Sequence, residues 1–190
     1  MTVDAEVGLA NRNGRLHPSQ RGKVLDFNFW AAAVLVVAGI AGLVFLVVKA
    51  IADVGEANQL NEVTGKTTFS PVLMLVPDLL LMVLALALTG WFAFVCRRRL
   101  AEVRDGRLVV VTGWTHDFGE VSGKRPAPGQ YPYPIYLYTI YERILFTYLV
   151  VNGHSYRLDD AELRNRVQGE RTNIVLSTPR TKILINVLPA

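Results

Sequence analysis

The chain has 190 residues, 51% of them hydrophobic and 19% charged, with a mean hydropathy of +0.29. That balance excludes a disordered chain, which would be poor in apolar residues and rich in charge. A formal net charge of +4 is too modest to argue for nucleic acid by itself, and a single cysteine excludes both an internal disulfide framework and a multi-Cys zinc site.

The apolar residues gather in two blocks in the first half, behind a polar leader over residues 1–26. Phe27 to Val48 is 22 residues without a charge. As a helix it covers ~33 Å, enough for a hydrocarbon core ~30 Å thick. It is too long and begins too late for a secretory signal peptide. Phe29 and Trp30 stand where aromatic rings favour the headgroup level, and Lys49 at the far end can snorkel outward. The first membrane span is therefore placed at residues 27–50. Ala38 and Gly42 form a small-xxx-small pair that would admit a close helix neighbour, although such pairs also arise by chance.

Residues 51–70 read as an external loop and residues 71–99 as a second span. Its apolar heart, Leu79 to Cys96, holds 18 uncharged residues. Either Pro71 or Pro77 can sit in its first turn. The choice decides whether Asp78 caps the helix at the interface or lies inside the span. An intramembrane acid is a candidate for pairing with a partner subunit or for an ion path. With one acid and no second ionisable group in either span, interfacial capping is the simpler reading and transport the weakest.

Charges set the topology. The leader carries Arg12, Arg15, Arg21 and Lys23, the loop carries Lys66 against Asp53, Glu56 and Glu62, and Arg97, Arg98 and Arg99 follow the second span. The positive-inside rule then places both termini in the cytoplasm and the loop outside. The three arginines also suit anionic lipid headgroups.

Residues 100–190 read as a small cytoplasmic β domain. Arg107 to Thr115 is a β-branched strand, and Phe118 to Pro134, with Gly119, Gly123, Pro126, Pro128, Gly129, Pro132 and Pro134, reads as a long loop. Ile135 to Val151 is rich in β-branched and aromatic residues. Asn152-Gly153 signals a hairpin turn to a return strand at His154–Leu158. Asp159 or Asp160 can cap a short helix over Ala161–Val167 that Gly169 ends. Arg171–Ser177 and Lys182–Leu188 close the domain. The predicted class is membrane α + β: a two-helix hairpin followed by a five-stranded OB-like barrel with one short helix. An SH3-like barrel is the near alternative, and Ile135–Arg143 is a candidate extra strand.

Six of the seven tyrosines fall between Tyr131 and Tyr148. From Ile144 onward both strand faces are apolar, whereas a lone barrel keeps one face polar. Tyr131, Tyr133, Tyr136, Tyr138, Tyr141, Phe146 and Tyr148 are therefore candidates for contact with a partner or the bilayer, unless the preceding loop folds back over them. His17, His116 and His154 are isolated, Ser155 lacks a nucleophile elbow, and no phosphate-binding glycine motif is present. Cys96 at the span's end suits S-palmitoylation or simply a small apolar position. The sequence thus calls for no catalytic residue, cofactor or metal. Nucleic acid is disfavoured because, without Arg97–Arg99, the domain is near neutral.

The stretches VVVTGWTHD, YLVVNGHSYRLD and RTNIVLSTPRTKILINV resemble a pattern in two-span bacterial membrane proteins with a short cytoplasmic β domain. The same half of the chain is similar, more distantly, to the membrane-anchored OB domains of NfeD-like proteins. The resemblance implies an inner-membrane, non-enzymatic anchoring role beside other membrane subunits. It carries over no active site, and the aromatic segment Ile135–Tyr141 departs from it. The expectation is an accessory or structural subunit. A membrane-tethered module sensing a small molecule or lipid headgroup is the alternative, and a transporter or enzyme using Asp78 comes last.

Overall fold

The computed structural model describes residues 3–65, 71–121, 126, 130–142 and 144–190. It forms two compact units, Leu25–Leu100 on one hand and Met1–Val24 with Ala101–Ala190 on the other.

The first unit is built from two long apolar helices, α3 (Phe27–Thr64) and α4 (Pro71–Asp105), both long and apolar enough to cross a membrane. The shorter helices α1 (Val3–Arg12) and α2 (Arg21–Val24) precede them and belong to the second unit. Asp26 caps α3 by accepting from the Phe29 N–H at 3.0 Å, and Gly65 ends it at φ +62°. The residues read as the first part of an external loop, 51–64, are instead helical. They contain Ala, Glu, Leu and Gln, which favour helix, and the fully buried Ala57 continues the packing seam. Pro71 begins α4 and Pro77 lies inside it, which decides between the two starts the sequence left open. The rest of the loop, Lys66 to Ser70, lies outside the described residues.

The two helices meet along a seam of heptad character. On α3 the covered positions include the series Phe29, Ala32, Val36, Gly39, Leu43, Leu46, Ala50, Asp53 and Ala57, spaced alternately by three and four, with Ala31, Ala33, Gly42 and Val54 half-buried beside it. On α4 they are Leu75, Asp78, Met82, Ala85, Thr89, Phe92, Cys96 and Arg99. A 3–4 alternation keeps one stripe of a helix facing its neighbour, with the pair running antiparallel here. Outside the stripe lie many large, apolar, exposed side chains, including Val34, Val37, Phe45, Leu80, Leu84 and Trp91.

The second unit contains a curled, six-stranded, mixed half-barrel sheet. Its strands are β1 (Val109–Val121), β2 (Ile135–Glu142), β3 (Ile144–Val151), β4 (His154–Arg157), β5 (Arg171–Ser177) and β6 (Leu184–Pro189), in the order β4-β3-β2-β1-β5-β6. The five-strand expectation is corrected by one. Ile135–Val151 is not a single strand but a hairpin, with Glu142 opposite Ile144 and Arg143 outside the described residues. β1 pairs parallel with β2 and antiparallel with β5. It also outruns its predicted end, since Phe118–Val121 remain in the sheet. Gly119, at φ +61°, sits in a register shift between Asp117 and Glu120, so a glycine that reads as a loop signal is a bulge. Gly123, Pro128 and Gly129 lie outside the described residues.

The predicted turn and helix are present: Asn152 and Gly153 have φ +48° and +76°, and Asp160 caps α5 (Ala161–Arg166). Val167 rather than Gly169 ends that helix, while Gly169 packs against Asp117. One sheet face carries the core of Ile135, Leu137, Leu149, Val151, Val175 and Val187.

The leader is not a tail. It forms α1 (Val3–Arg12), a 3-10 turn at Pro18–Gln20 and α2 (Arg21–Val24). Arg15 bridges to Arg107, Leu16 N–H donates to the Gly106 carbonyl at 2.8 Å, and Leu108 N–H donates to that of Gly14 at 2.8 Å. Leu16 and Val24 then close a second core with Leu108, Leu176 and Ile185. The polar composition of residues 1–26 conceals these two apolar anchors.

Candidate functional site

Ionic contacts bracket the uncharged stretch Phe27–Val48 of α3. At one end Arg99 pairs with Asp26, the residue that also caps α3. At the other the Lys49 ammonium donates to both Asp78 oxygens at 3.0 Å and to Asp53 at 2.6 Å. Asp78 is only 3% exposed. Lys49 had been expected to reach outward and Asp78 to cap its helix at the interface or to pair with a partner subunit. The side chains instead satisfy each other, because a buried carboxylate without a countercharge is costly. The sequence could have suggested this, since Lys49 follows the first apolar block and Asp78 precedes the second, the two ends that an antiparallel hairpin brings together. Beside the pair an apolar groove is lined by Val47, Ala50, Ile51, Val54, Leu75 and Met82.

The close helix approach occurs one residue from the expected pair. Ala38 is exposed, and a side chain at Gly42 would meet nothing within 4 Å. At Gly39, by contrast, a Cβ would lie 2.1 Å from Thr89 Oγ1 and 3.1 Å from Thr89 Cβ. The Thr89 hydroxyl donates to the Ala85 carbonyl at 2.7 Å. Cys96 faces the seam with its Sγ 4.0 Å from the Phe29 carbonyl. Of the three arginines, Arg97 and Arg98 are exposed while Arg99 turns onto Asp26.

The aromatic candidates divide into a packed set and an open set. Tyr136, Tyr138 and Tyr148 are buried in a cluster with Ile140 and Val150, joined at its margin by Phe118, Val121, Tyr131 and Phe146. Tyr138 stacks on Tyr148 with ring centroids 5.2 Å apart, a cross-strand pair set by the β2–β3 register. Phe118 stacks on Tyr131 at 4.2 Å, and both rings meet Tyr136 edge-on. Cover therefore comes from the extension of β1 and from Tyr131. Burial pushes the Tyr136 hydroxyl above its ordinary range, reinforced by Tyr138 and Tyr131. Arg157 lies over the Phe146 ring, 4.9 Å from its centroid. Tyr133 remains open and stacks against His116 at 3.8 Å, and Tyr141 is open at the hairpin tip.

Sequence reading missed two carboxylates. Glu102, in the last turns of α4, is almost wholly buried. It accepts from the backbone N–H groups of Arg180 and Thr181 at 2.6 and 2.7 Å and from the Thr181 hydroxyl, closing the β5–β6 turn. Glu170, at φ +52°, accepts from the Asp117 N–H at 2.8 Å and the Trp114 indole N–H at 3.3 Å. The Asp117 bond foremost holds its carboxyl below the usual range. No local motif marks either residue, because their partners are 78 and 53 positions away.

His17 engages Ser19 and His154 packs edge-on to Tyr156. Among the described residues no group of three or more His, Cys, Asp or Glu side chains is arranged to hold a metal. Comparison with family models, with curated proteins and with solved structures finds no match to this chain.

Proposed function

We propose that this chain is a membrane-anchored accessory subunit. In this reading α3 and α4 cross the bilayer as a hairpin, and the β unit on the cytoplasmic face docks on a larger membrane protein complex. The observation that carries the anchoring is the bracketed seam. Asp26–Arg99 and Lys49–Asp78 lie just outside the two ends of the 22 uncharged residues Phe27–Val48 of α3. That stretch measures ~33 Å, close to the ~30 Å hydrocarbon core. The large exposed side chains along it are those a lipid environment accommodates.

The sidedness has support of its own. Residues 1–24 and 101–190 belong to one folded unit, so the two connections to the hairpin leave and re-enter it on one side of a bilayer. The arginine-rich segment after the second apolar block supports the cytoplasm as that side.

The docking role is tested by purification from native membranes in a mild detergent, with size analysis and mass spectrometry of what co-elutes. A stable larger assembly supports it, and a monomer without partners contradicts it. The sensing alternative draws on a groove of about 280 Å³ between α1 and β6, lined by Ala5, Gly8, Leu9, Arg12, Leu188 and Pro189. Its apolar walls and single guanidinium suit a small amphiphilic anion. A ligand-induced thermal shift that Arg12→Ala abolishes would favour it.

A further inference from the structure

We propose that Arg15 and Arg107 form a two-guanidinium clamp for a phosphate monoester. Both residues belong to the second unit, so the site stands whether or not the membrane reading does.

The clamp is built from a repeat. Residues 12–16 read Arg-Asn-Gly-Arg-Leu and residues 104–108 read Arg-Asp-Gly-Arg-Leu. Each copy follows a helix, α1 ending at Arg12 and α4 at Asp105. Gly14 and Gly106 then take φ +65° and +61°, left-handed values that turn the chain out of the helix and that glycine adopts without strain. The two copies meet antiparallel. Leu16 N–H donates to the Gly106 carbonyl and Leu108 N–H to the Gly14 carbonyl, both at 2.8 Å, with Arg15 opposite Arg107 between them. Bonds that flank a pair in this way make it the non-hydrogen-bonded kind, with Cα atoms ~4.5 Å apart and side chains at their closest on one face. Leu16 and Leu108 turn into the core with Leu176 and Ile185. Alternation sends both arginines the other way, where they are exposed.

Like charges directly opposite one another are destabilising unless something neutralises them. Among the described residues neither guanidinium has a hydrogen-bond or ion-pair partner. Residues 7–25 contain no acid, and Asp105, two positions before Arg107, is paired with Arg180 at 3.4 Å. Favourable placement at a helix C-terminus accounts for Arg12 and Arg104, which stand in the last turns of α1 and α4. It does not account for Arg15 and Arg107, which lie beyond both helices. A positive-inside signal needs charge near a span and does not need two guanidiniums face to face. A shared anion does. Each guanidinium fork donates two parallel N–H bonds. A carboxylate fills its two oxygens on one fork. The three terminal oxygens of a phosphate monoester serve both forks, and its charge of about −2 matches the pair.

The test is NMR of the arginine Nε–H signals of the full chain in a neutral detergent. Phenyl phosphate and dioctanoyl phosphatidic acid are the probes, with dioctanoyl phosphatidylcholine as the lipid control. Arg21, an exposed arginine outside the repeat, is the internal reference. The Arg15 and Arg107 signals should shift saturably, together with the Leu16 and Leu108 amides, while Arg21 stays in place. The paired Arg15→Lys and Arg107→Lys variant keeps both charges but loses the forks, and should bind about tenfold more weakly. In phosphate-free buffer Arg15→Gln relieves the repulsion, so its melting temperature should equal or exceed that of the wild type. Saturation by phenyl phosphate supports the clamp with a soluble monoester as sufficient ligand, and saturation by phosphatidic acid alone supports it with a lipid headgroup as the source. Arg15 and Arg107 signals that move no more than Arg21 with either probe overturn the clamp. A paired lysine variant that binds as tightly as the wild type shows charge attraction without a fork and overturns it too. A clearly lower melting temperature for Arg15→Gln means that the guanidinium is already satisfied within the fold, which also overturns it.

Discussion

Replacing Glu102 with alanine deletes the acceptor that closes the β5–β6 turn. Three donors converge on this one carboxylate: the Arg180 N–H at 2.6 Å, the Thr181 N–H at 2.7 Å and the Thr181 hydroxyl. A hydrogen bond to a charged group contributes ~1.5–3 kcal/mol, and a buried donor left unpaired costs ~1–3 kcal/mol. The full sum does not apply. Arg180 is exposed and Thr181 half-buried, so water replaces part of the loss, and the Arg180–Asp105 pair at 3.4 Å survives. A net loss of about 2 kcal/mol is expected, which is roughly a 30-fold rise in the local opening constant. Amide hydrogen exchange at Arg180 and Thr181, read by NMR on the full chain in detergent, should accelerate by about that factor, while α3 amides stay unchanged. Glu102→Gln keeps one acceptor oxygen for the two backbone donors and should lose about half as much, near 1 kcal/mol. Unchanged exchange at residues 180 and 181 in Glu102→Ala would refute the reasoning.

Gly39→Val forces a side chain into Thr89, where even a Cβ lies 2.1 Å from Oγ1, and overpacking of this kind costs ~1–3 kcal/mol. Its helical melting transition in detergent should fall, and Thr89→Ala should restore part of the loss; a wild-type melt in the single variant would contradict the seam. Asn11 is fully buried, and its side-chain oxygen and nitrogen have no hydrogen-bond partner among the described residues. Asn11→Leu should therefore leave stability unchanged or raise it by ~1 kcal/mol in denaturant titration, whereas a clear loss would mean a polar role there. Because the folded Glu170 carboxyl is held below its ordinary range, its bonds stabilise the fold above that range and fade as pH falls through the folded value. Glu170→Gln should flatten the acid side of the stability–pH curve, and an identical acid limb in both proteins would sink the assignment.

Much of the architecture was legible because it is locally encoded. A charge-free run of 22 residues, an Asn-Gly pair and an Asp ahead of a short helix each state their structure within a few positions. The misreadings share one cause, the chain contacting itself at long range. Residues 1–26 look like a polar leader until Leu16 and Val24 meet Leu176 and Ile185. Lys49 looks like the end of a span until Asp78, 29 positions on, faces it. Gly119 carries the same signal in a loop and in a bulge, and only the pairing of Glu120 with Thr139 distinguishes them. The tyrosine cluster announced an interface, yet the extended β1 brings Phe118 over Tyr131 and Tyr136 and leaves Tyr133 and Tyr141 open. Small-residue periodicity put the helix contact at Ala38 and Gly42. The 3–4 alternation of covered positions puts it at Gly39, a difference of one residue that rotates the face by about 100°.

The central claim is that α3 and α4 form a membrane-crossing hairpin with the β unit on the cytoplasmic side. Sided labelling tests it most directly, using Cys96→Ala chains that carry either Glu56→Cys beyond the Lys49–Asp78 pair or Ala161→Cys in the β unit. Both positions are exposed. In intact cells an impermeant maleimide should label Glu56→Cys at once and Ala161→Cys only after permeabilisation. Equal labelling of the two sites before permeabilisation, or labelling of Ala161→Cys alone, would contradict the account.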